Sequence, residues 1–363
     1  MTPPSTPPDR LHSIAQARAM VLQEHSPAQA GSVPSWVTQS WQRCLEMGLQ
    51  PEHAVGFDTL SSQHIKRVQE ASRPLVQAAQ PVLAELARAI ADIRYFAILT
   101  NAEGIVVDVH GPIDRQDRRA DAIARIGVDL SERSVGTTSI SAALREQQPV
   151  WLHRGEHFFK DTSVYSCAGA PVFGPDGLCA GMLDLTGIET VERPALKHLV
   201  RRSARSIENS WLLSSPHALT LRLNWPGNQP GDDSDGLLTL DADGQILGAN
   251  PTARQMLSLA VGMPAHASEV FATPWENLFD AAHHQASAQE IPLWSGLRLQ
   301  TQAMASGHRA TAMPTAAAGP LRDVQTAMIK EAVRQAKGNV AEAARLLGIS
   351  RATVYRKLGQ GKG

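Results

Sequence analysis

The chain has 363 residues, of which 43% are hydrophobic, and its formal net charge at neutral pH is −1. A chain of this length is expected to form two or three domains with buried cores. It shows neither an apolar run long enough to span a membrane nor a signal-peptide pattern, so the sequence predicts a cytoplasmic protein without a membrane partner. The three cysteines, Cys44, Cys167 and Cys179, lack zinc-ligand spacing. We therefore expect reduced, buried thiols and predict neither a metal site nor a cofactor.

The N-terminal region, residues 1–34, is predicted to be disordered. It begins MTPPSTPPDR, which is rich in proline and poor in large apolar residues. Helical patterns follow, and the longest runs from Ser61 to Ala91. Pro74 and Pro81 lie inside that run, and we expect them to break or kink the helix because proline lacks the backbone N–H.

The middle of the chain alternates between strand and helix patterns. A turn at Asn101–Gly104 separates two apolar segments and predicts a β-hairpin. A short helix is predicted near Ser139–Leu144 and a strand at Pro149–Leu152. A turn at Gly174–Gly177 joins two further strands, and an amphipathic helix is predicted over Arg193–Leu213. Helices and strands in this order around one antiparallel sheet predict an α+β fold.

Four stretches of this region, SVGTTSISAAL, PVWLHRGEHFF, SCAGAPVFGPDG and GMLDLTG, resemble the GAF sensor domain of transcriptional activators of the acetoin-catabolism type. The resemblance covers residues 35–213, a helical lead-in followed by the sensor. The family tends to show GTN in place of Gly136-Thr137-Thr138, and CSAAPI in place of residues 167–172. GAF domains hold a small molecule between the sheet and its covering loops, so the resemblance implies an unidentified small-molecule effector. The pocket residues it implies are Trp151, His157, Phe158, Phe159, Tyr165, Cys167 and Asp184.

Each of these residues also has a purely structural interpretation. His157 is consistent with a hydrogen-bonded loop histidine, and Cys167 with a small core residue. Asp184 lies in an apolar strand, where an unpaired carboxylate is costly, so it requires a partner such as a backbone amide or a ligand hydroxyl. No nucleophile elbow is present, and we do not predict an enzyme. A reductase that uses Cys167 is the enzymatic alternative, although its cysteine set is sparse.

A second, smaller set of strand patterns occupies residues 221–304. GLLTLDADGQILGANPTARQML predicts a strand, a turn at Asp243-Gly244, a strand and a helix capped near Asn250. These residues resemble the opening of a PAS domain, and IPLWSGLRLQTQAM supplies two further predicted strands. The segment is short for such a domain, so we expect a spacer or a dimerisation surface rather than a ligand pocket. Residues 305–320, rich in Ala, Thr, Gly and Pro, predict a flexible linker.

Residues 321–363 have the spacing of an all-α helix-turn-helix. Gly338 ends a first helix, Asn339 is placed to cap a second, and Gly348 makes the tight turn before a third. Basic side chains of the third helix are placed as in a recognition helix, which contacts bases and phosphates in the major groove. Nine Lys and Arg residues against three Asp and Glu give this segment a charge of +6, and therefore residues 1–320 a charge of −7.

The stretch GNVAEAARLLGISRATVYRKL resembles the C-terminal domain of the Fis type, found at the end of bacterial enhancer-binding activators. The resemblance implies binding to double-stranded DNA and a homodimer formed through the first helix. The DNA contacts it implies by position are Asn339, Ser350, Arg351, Thr353, Arg356 and Lys357. A three-helix cap with a solvated basic surface is the structural alternative.

Activators with this sensor and this tail, which act on sigma-54 polymerase, normally carry an AAA+ ATPase between them. The sequence departs from that pattern, because it contains no GxxxxGK[ST] phosphate-binding loop. It therefore predicts a ligand-responsive, DNA-binding transcriptional regulator without ATPase activity, acting as a repressor, as a co-regulator or through direct contact with RNA polymerase. The alternative is a sensor that associates with an AAA+-bearing regulator and modulates it.

Overall fold

The computed structural model of the protein describes residues 10–23, 33–283, 287–306 and 340. The chain divides into two compact units, Met1–Ser306 and Gly307–Gly363. The described part of the first unit contains two five-stranded antiparallel sheets and the helices that cover them, which is an α+β fold. The predicted helix-turn-helix, with its candidate DNA-contacting residues, lies outside the described residues.

The N-terminal region contains a packed helix, so the prediction of disorder over residues 1–34 is wrong for this part. Helix α1 spans Arg10–Arg18 and continues as a π-helical turn over Ala19–Gln23. The buried side chains of this segment are Ile14, Ala17 and Val21. They pack with Trp41 and Phe158, which lie far along the chain. Local composition does not report such long-range burial, which is what stabilises a short helix.

Three further helices precede the first sheet: α2 (Ser35–Glu46), α3 (Ser62–Ala71) and α4 (Arg73–Ala89). The predicted long helix is therefore interrupted at Ser72, and Pro74 lies in the first turn of α4, where its missing N–H is not needed. Pro81 lies inside α4 and does not break it. Pro81 and Gln77, whose carbonyl loses its amide partner, are both exposed, so water can satisfy that carbonyl.

The first sheet contains β1 (Tyr95–Asn101), β2 (Val106–His110), β3 (Val150–His153), β4 (Tyr165–Phe173) and β5 (Cys179–Ile188). Its order is β2-β1-β5-β4-β3, with every neighbouring pair antiparallel. Both predicted hairpin turns are confirmed. At the first, the Asn101 side chain accepts the Ile105 N–H at 2.8 Å, and Gly104 has a φ of +87°, which favours glycine.

Helices cover both faces of this sheet. Between β2 and β3 lie α5 (Arg118–Ile123), α6 (Glu132–Val135) and α7 (Ser139–Glu146), and α8 (Leu196–Ser214) follows β5. Helices α4 and α8 pack on one face, and α5, α6 and α7 on the other. Helix α7 begins with a reciprocal cap, in which Thr138 and Ser141 each accept the other's backbone N–H at 3.1 and 3.0 Å.

The second sheet contains β6 (Leu219–Asn224), β7 (Gly236–Leu240), β8 (Ile246–Ala249), β9 (Gln289–Pro292) and β10 (Arg298–Ala305). Its order is β8-β7-β6-β10-β9, again antiparallel throughout. Between β8 and β9 lie α9 (Pro251–Leu257), α10 (Ala267–Val270) and α11 (Glu276–His283). Asn250 caps α9 as predicted, accepting the Ala253 N–H at 2.8 Å. The central strand β6 was not predicted.

The two sheets are joined by α8 and by the turn between β4 and β5. The Pro175 carbonyl in that turn accepts hydrogen bonds from Ala249 N at 3.0 Å and from Arg254 Nη2 at 2.8 Å. Asn209 of α8 accepts a hydrogen bond from Asn250 Nδ2 at 2.9 Å. These contacts fix the first sheet and its helices against the second sheet. Among the described helices, none combines the length and hydrophobicity that crossing a bilayer requires.

Candidate ligand site

A small cavity lies between the first sheet and the helices α5–α7, and its volume is about 30 Å³. Its apolar wall is formed by Phe57, Ile98, Ile123, Leu130 and Ile140. Its polar lining is formed by Thr138, Ser139, His157, Thr162, Tyr165, Asp184 and Thr186, together with the Cys167 thiol. A cavity of this size holds about one water molecule. A larger ligand therefore requires one of the lining segments to move.

Asp184 is the buried carboxylate of this cavity. It lies in the central strand β5, opposite Ile98 and Gly169, and its exposed fraction is 0%. One carboxylate oxygen accepts a hydrogen bond from the Ser139 hydroxyl and the other from the Thr186 hydroxyl. Burial raises the pKa of Asp184 to about 6, and the two hydrogen bonds oppose that shift. No nearby cation contributes to it among the described residues, so Asp184 is poised between its neutral and charged forms.

The partnership between Asp184 and Ser139 depends on a close approach of α7 to the sheet. Gly169 of β4 permits this approach. A Cβ atom at Gly169 would lie 3.0 Å from the Ser139 carbonyl and 2.3 Å from Met182 Cε. The first residue of α7 can therefore reach the central strand only over a glycine.

His157 supplies a second buried polar group. Its Nδ1 lies 2.9 Å from the Arg154 carbonyl, which can only accept, so the neutral ring carries its proton on Nδ1. Its Nε2 is buried and has no hydrogen-bond partner among the described residues. Burial lowers the pKa of His157 to about 4, so the ring is neutral at physiological pH. An unprotonated Nε2 is a free hydrogen-bond acceptor.

Tyr165 and Cys167 complete the polar lining from β4. The Tyr165 hydroxyl donates to the Arg119 carbonyl at 3.0 Å, and Cys167 Sγ lies 3.5 Å from Thr186 Oγ1. Burial raises the pKa of the Cys167 thiol well above its usual range. The thiol is therefore protonated and a poor nucleophile at neutral pH, which argues against a role as a reactive cysteine.

Three of the residues that the resemblance implied do not line this cavity. Trp151 packs on the opposite face of the sheet, with α4 and α8, because neighbouring residues of a strand point to opposite faces. Its neighbour Leu152 belongs to the cavity side. Phe158 and Phe159 make an edge-to-face pair with centroids 5.0 Å apart and pack with α1 and α2. The structure thus brings together His157, Tyr165, Cys167 and Asp184.

The sequence analysis missed several lining residues. Thr186 was detectable, because it lies two positions after Asp184 in the same strand and therefore on the same face. Ser139 begins a helix that was predicted, but its approach to Asp184 depends on a tertiary contact. Phe57 carries no local signal, since it reaches the cavity from the segment before α3 and meets Tyr165 edge to face at 6.2 Å.

The family model described as "MimR, N-terminal domain" matches residues 12–209, more than half of the chain. The chain belongs to the MimR N-terminal domain family. The model described as "Bacterial regulatory protein, Fis family" matches residues 320–361. The resemblance to acetoin-catabolism-type regulators with a Fis-type helix-turn-helix is therefore confirmed.

Individual relatives of this MimR-type chain are transcription regulators. The acetoin catabolism regulatory protein of Cupriavidus necator is 29% identical over 256 residues, which are 68% of this chain and 37% of that protein. The propane 2-monooxygenase operon transcriptional activator MimR of Mycolicibacterium smegmatis is 28% identical over 235 residues, 64% of this chain and 39% of that protein. The chain therefore spans less than half the length of these relatives.

Among solved structures, the E. coli DhaR(N)–DhaL complex contains a chain that aligns with 14% identity and a TM-score of 0.47. The alignment covers 74% of this chain and 99% of that one.

Proposed function

We propose that this MimR-type chain is a ligand-responsive transcriptional regulator that binds operator DNA as a dimer and has no ATPase or other enzymatic activity of its own. The observation that carries the proposal is the buried polar cavity around Asp184 and His157, in a chain that also has a Fis-type domain. Relatives named as transcriptional activators support the regulatory role.

The effector is a small, uncharged molecule. The cavity is small, and its polar groups are hydroxyls, a neutral imidazole, a protonated thiol and one carboxyl group. An anionic ligand would meet Asp184 without a compensating cation, which a buried site does not tolerate. Acetoin, the compound in the name of the Cupriavidus relative, is small and uncharged, and it is the first effector to test.

The DNA-binding role is assigned to residues 321–363. Arg351 is the candidate for bidentate pairing with guanine, and Arg356 and Lys357 for phosphate contacts. Asn339, Ser350 and Thr353 complete the proposed interface. In a dimer the two recognition helices would enter successive major grooves about 34 Å apart.

Fluorescence-anisotropy titration of DNA from upstream of the protein's own gene, across a series of salt concentrations, tests this function. We expect Arg351→Ala to weaken specific binding by about 1–3 kcal/mol. Lys357→Ala should weaken binding to all sequences and reduce the salt slope by about 1. Acetoin should shift the wild-type binding curve. If both variants bind like the wild type, the assigned recognition helix is wrong.

A second candidate function is association with an AAA+-bearing regulator. It is favoured by the lack of a phosphate-binding loop in this sequence, whereas ATP-driven activation needs one. In that case the chain would alter transcription only when such a partner is present. In vitro transcription with this protein alone and with an added AAA+ activator separates the two functions, because direct contact with RNA polymerase requires no partner.

A further inference from the structure

The loop that carries His157 connects β3 to β4 and contains two short 3-10 turns, Arg154–Glu156 and Asp161–Val164. His157 lies between these turns, and its backbone N–H donates to the Arg154 carbonyl at 3.1 Å. Contacts from outside the loop add to this local bond in fixing the position of His157 beside the cavity.

Arg18 of α1 fixes this loop. Its guanidinium donates to the carbonyls of Gly155 and Phe158 at 2.9 Å each, and also to the carbonyl of His157 itself. The same guanidinium lies 5.5 Å from the centre of the Trp41 ring. A planar fork of donors can satisfy several carbonyls at once, which a lysine ammonium cannot do in the same geometry. Burial lowers the pKa of Arg18, yet arginine stays charged in proteins.

A second set of contacts holds the same loop. Glu156 is 1% exposed, and it accepts hydrogen bonds from Arg10 at 2.8 Å and from His153 N at 2.6 Å. The Trp41 indole donates to the Glu156 carbonyl at 2.9 Å. The N-terminal helix therefore contacts the loop through two arginines, one of which reaches the backbone of His157.

We propose that Arg18 is a positioning residue for the ligand site: it holds His157 so that Nε2 accepts a hydrogen bond from a donor group of a neutral, hydroxyl-bearing effector in the cavity. This inference rests on the proposed ligand-sensing function. The Nδ1 proton already forms a hydrogen bond with the Arg154 carbonyl. Nε2 is therefore left as an acceptor without a partner among the described residues. Asp184 already accepts two hydroxyls. A ligand that carries a hydrogen-bond donor would therefore pair with the acceptor at His157 Nε2.

Burial is the main reason that the imidazole is neutral, and the charge of Arg18 acts in the same direction. The charged and titratable groups around His157 are Arg18 of α1, His153 of β3, Tyr165 and Cys167 of β4, and Asp184 of β5. The first two lower the pKa of His157 in addition to burial. A protonated ring would present a donor at Nε2 and lose the acceptor.

Nitrogen NMR of the full chain with ¹⁵N-labelled histidine tests the positioning role. In the wild type we expect His157 to show a protonated Nδ1 and an unprotonated Nε2 that do not change between about pH 8 and pH 5.5, since its pKa is about 4. In Arg18→Gln, water reaches the loop and a positive charge is removed. The pKa of His157 should then rise by about one unit or more, and the two tautomers should mix. The signal is assigned with His157→Asn.

Arg125→Gln is the matched control. Arg125 also donates to a loop carbonyl beside the cavity, that of Phe57 at 3.0 Å, so its loss should leave the His157 signal unchanged. Arg18→Lys keeps the charge without the fork and should give an intermediate result; it replaces Arg18→Gln if circular dichroism shows that the glutamine variant is unfolded. A wild-type proton on Nε2, or an unchanged His157 in Arg18→Gln and Arg18→Lys, would overturn the positioning role.

The ligand class is tested with small probes. Alcohols of one to four carbons are added to the wild type beside nitriles of the same heavy-atom number, which lack a donor. Alcohols should shift the Nε2 resonance of His157 and nitriles should not. Equal shifts from both series would overturn the ligand class. If neither the probes nor acetoin shifts any resonance of the cavity while Arg18→Gln still moves His157, the proposed ligand sensing itself fails, and Arg18 is left with a structural role.

Discussion

The two five-stranded sheets arrange their strands in the same spatial pattern, but the chain enters that pattern at a different strand in each. Numbered by chain position, the order is 2-1-5-4-3 in the first sheet and 3-2-1-5-4 in the second. The central strand is the last strand of the first sheet and the first strand of the second. Moving that strand from the end to the beginning converts one order into the other. In both sheets a group of three helices separates the equivalent strands, α5–α7 before β3 and α9–α11 before β9.

The chemistry of the two central strands is opposite. Towards its three helices, β5 presents Met182, Asp184 and Thr186, whereas β6 contributes Leu219, Leu221 and Leu223 to the core that includes α9–α11. The first arrangement leaves a polar cavity, and the second is filled by aliphatic side chains. One strand order thus supports either a polar cavity or a packed core, and the residues of the central strand decide which.

The largest expected effect comes from removing a ring from the filled core. Phe271 is fully buried in the second sheet's core, so Phe271→Ala should lower the free energy of unfolding by about 3–5 kcal/mol. Urea unfolding followed by circular dichroism measures the change. Met263→Ala is the control, since Met263 is 66% exposed and should change stability by about 0.5 kcal/mol or less. A loss below about 1 kcal/mol for Phe271→Ala would contradict the contrast between the two sheets, because the second core would then be loosely packed.

Asp184→Asn removes the buried charge of the first sheet. The folded pKa of about 6 lies above the usual 3.8. The stabilising contribution of Asp184 is therefore complete below about pH 3.8 and is lost as the pH rises through 6. At pH 8 the asparagine variant should be more stable than the wild type by up to about 3 kcal/mol, from two pKa units, and near pH 4 the two should agree. Thermal unfolding at several pH values checks this, and parallel curves for the two proteins would contradict it.

Asp235→Asn is the same substitution beside the second sheet and should act in the opposite direction. Asp235 is also fully buried, but it accepts hydrogen bonds from Arg222, Asn224 Nδ2, Gly231 N and Asp232 N. An amide replaces one acceptor oxygen by a donor, so we expect a loss of about 2 kcal/mol at pH 8. The same unfolding experiment measures it. Stabilisation by both substitutions would show that the two carboxylates have equivalent surroundings.

The turns and strands were predictable because their signals are local. Asn101 and Gly104, or Asp243 and Gly244, encode their turns within four residues. Pro74 likewise indicates that a helix begins near it, because a proline is tolerated in the first turn of a helix. In contrast, the helix at Arg10–Arg18 was missed, because its stability depends on residues more than 130 positions away, such as Gly155 and Phe158. No local pattern contains that information.

The sequence predicts only the part of the candidate site that follows from the alternation of side chains along a strand. Cys167 and Asp184 lie on adjacent strands, and the alternation of β5 places Thr186 beside Asp184. Alternation separates the two faces of a strand but does not say which face is covered by the loops that hold a ligand. That choice depends on where α7 and α8 pack, and for this reason the sequence did not show that Trp151 lies on the face opposite Asp184.

Trp151→Phe should have the smallest effect and tests that face directly. Trp151 packs against α4 and α8, and its indole N–H has no partner among the described residues. The substitution removes an unsatisfied donor and a small packing volume, two effects of opposite sign, so stability should change by about 1 kcal/mol or less. The His157 resonances and their response to alcohols should not change. Tyr165→Phe is the matched variant on the cavity face, where the lost hydroxyl should alter that response. If Trp151→Phe alters it as strongly as Tyr165→Phe, the two faces are coupled, and the ligand site extends through the sheet.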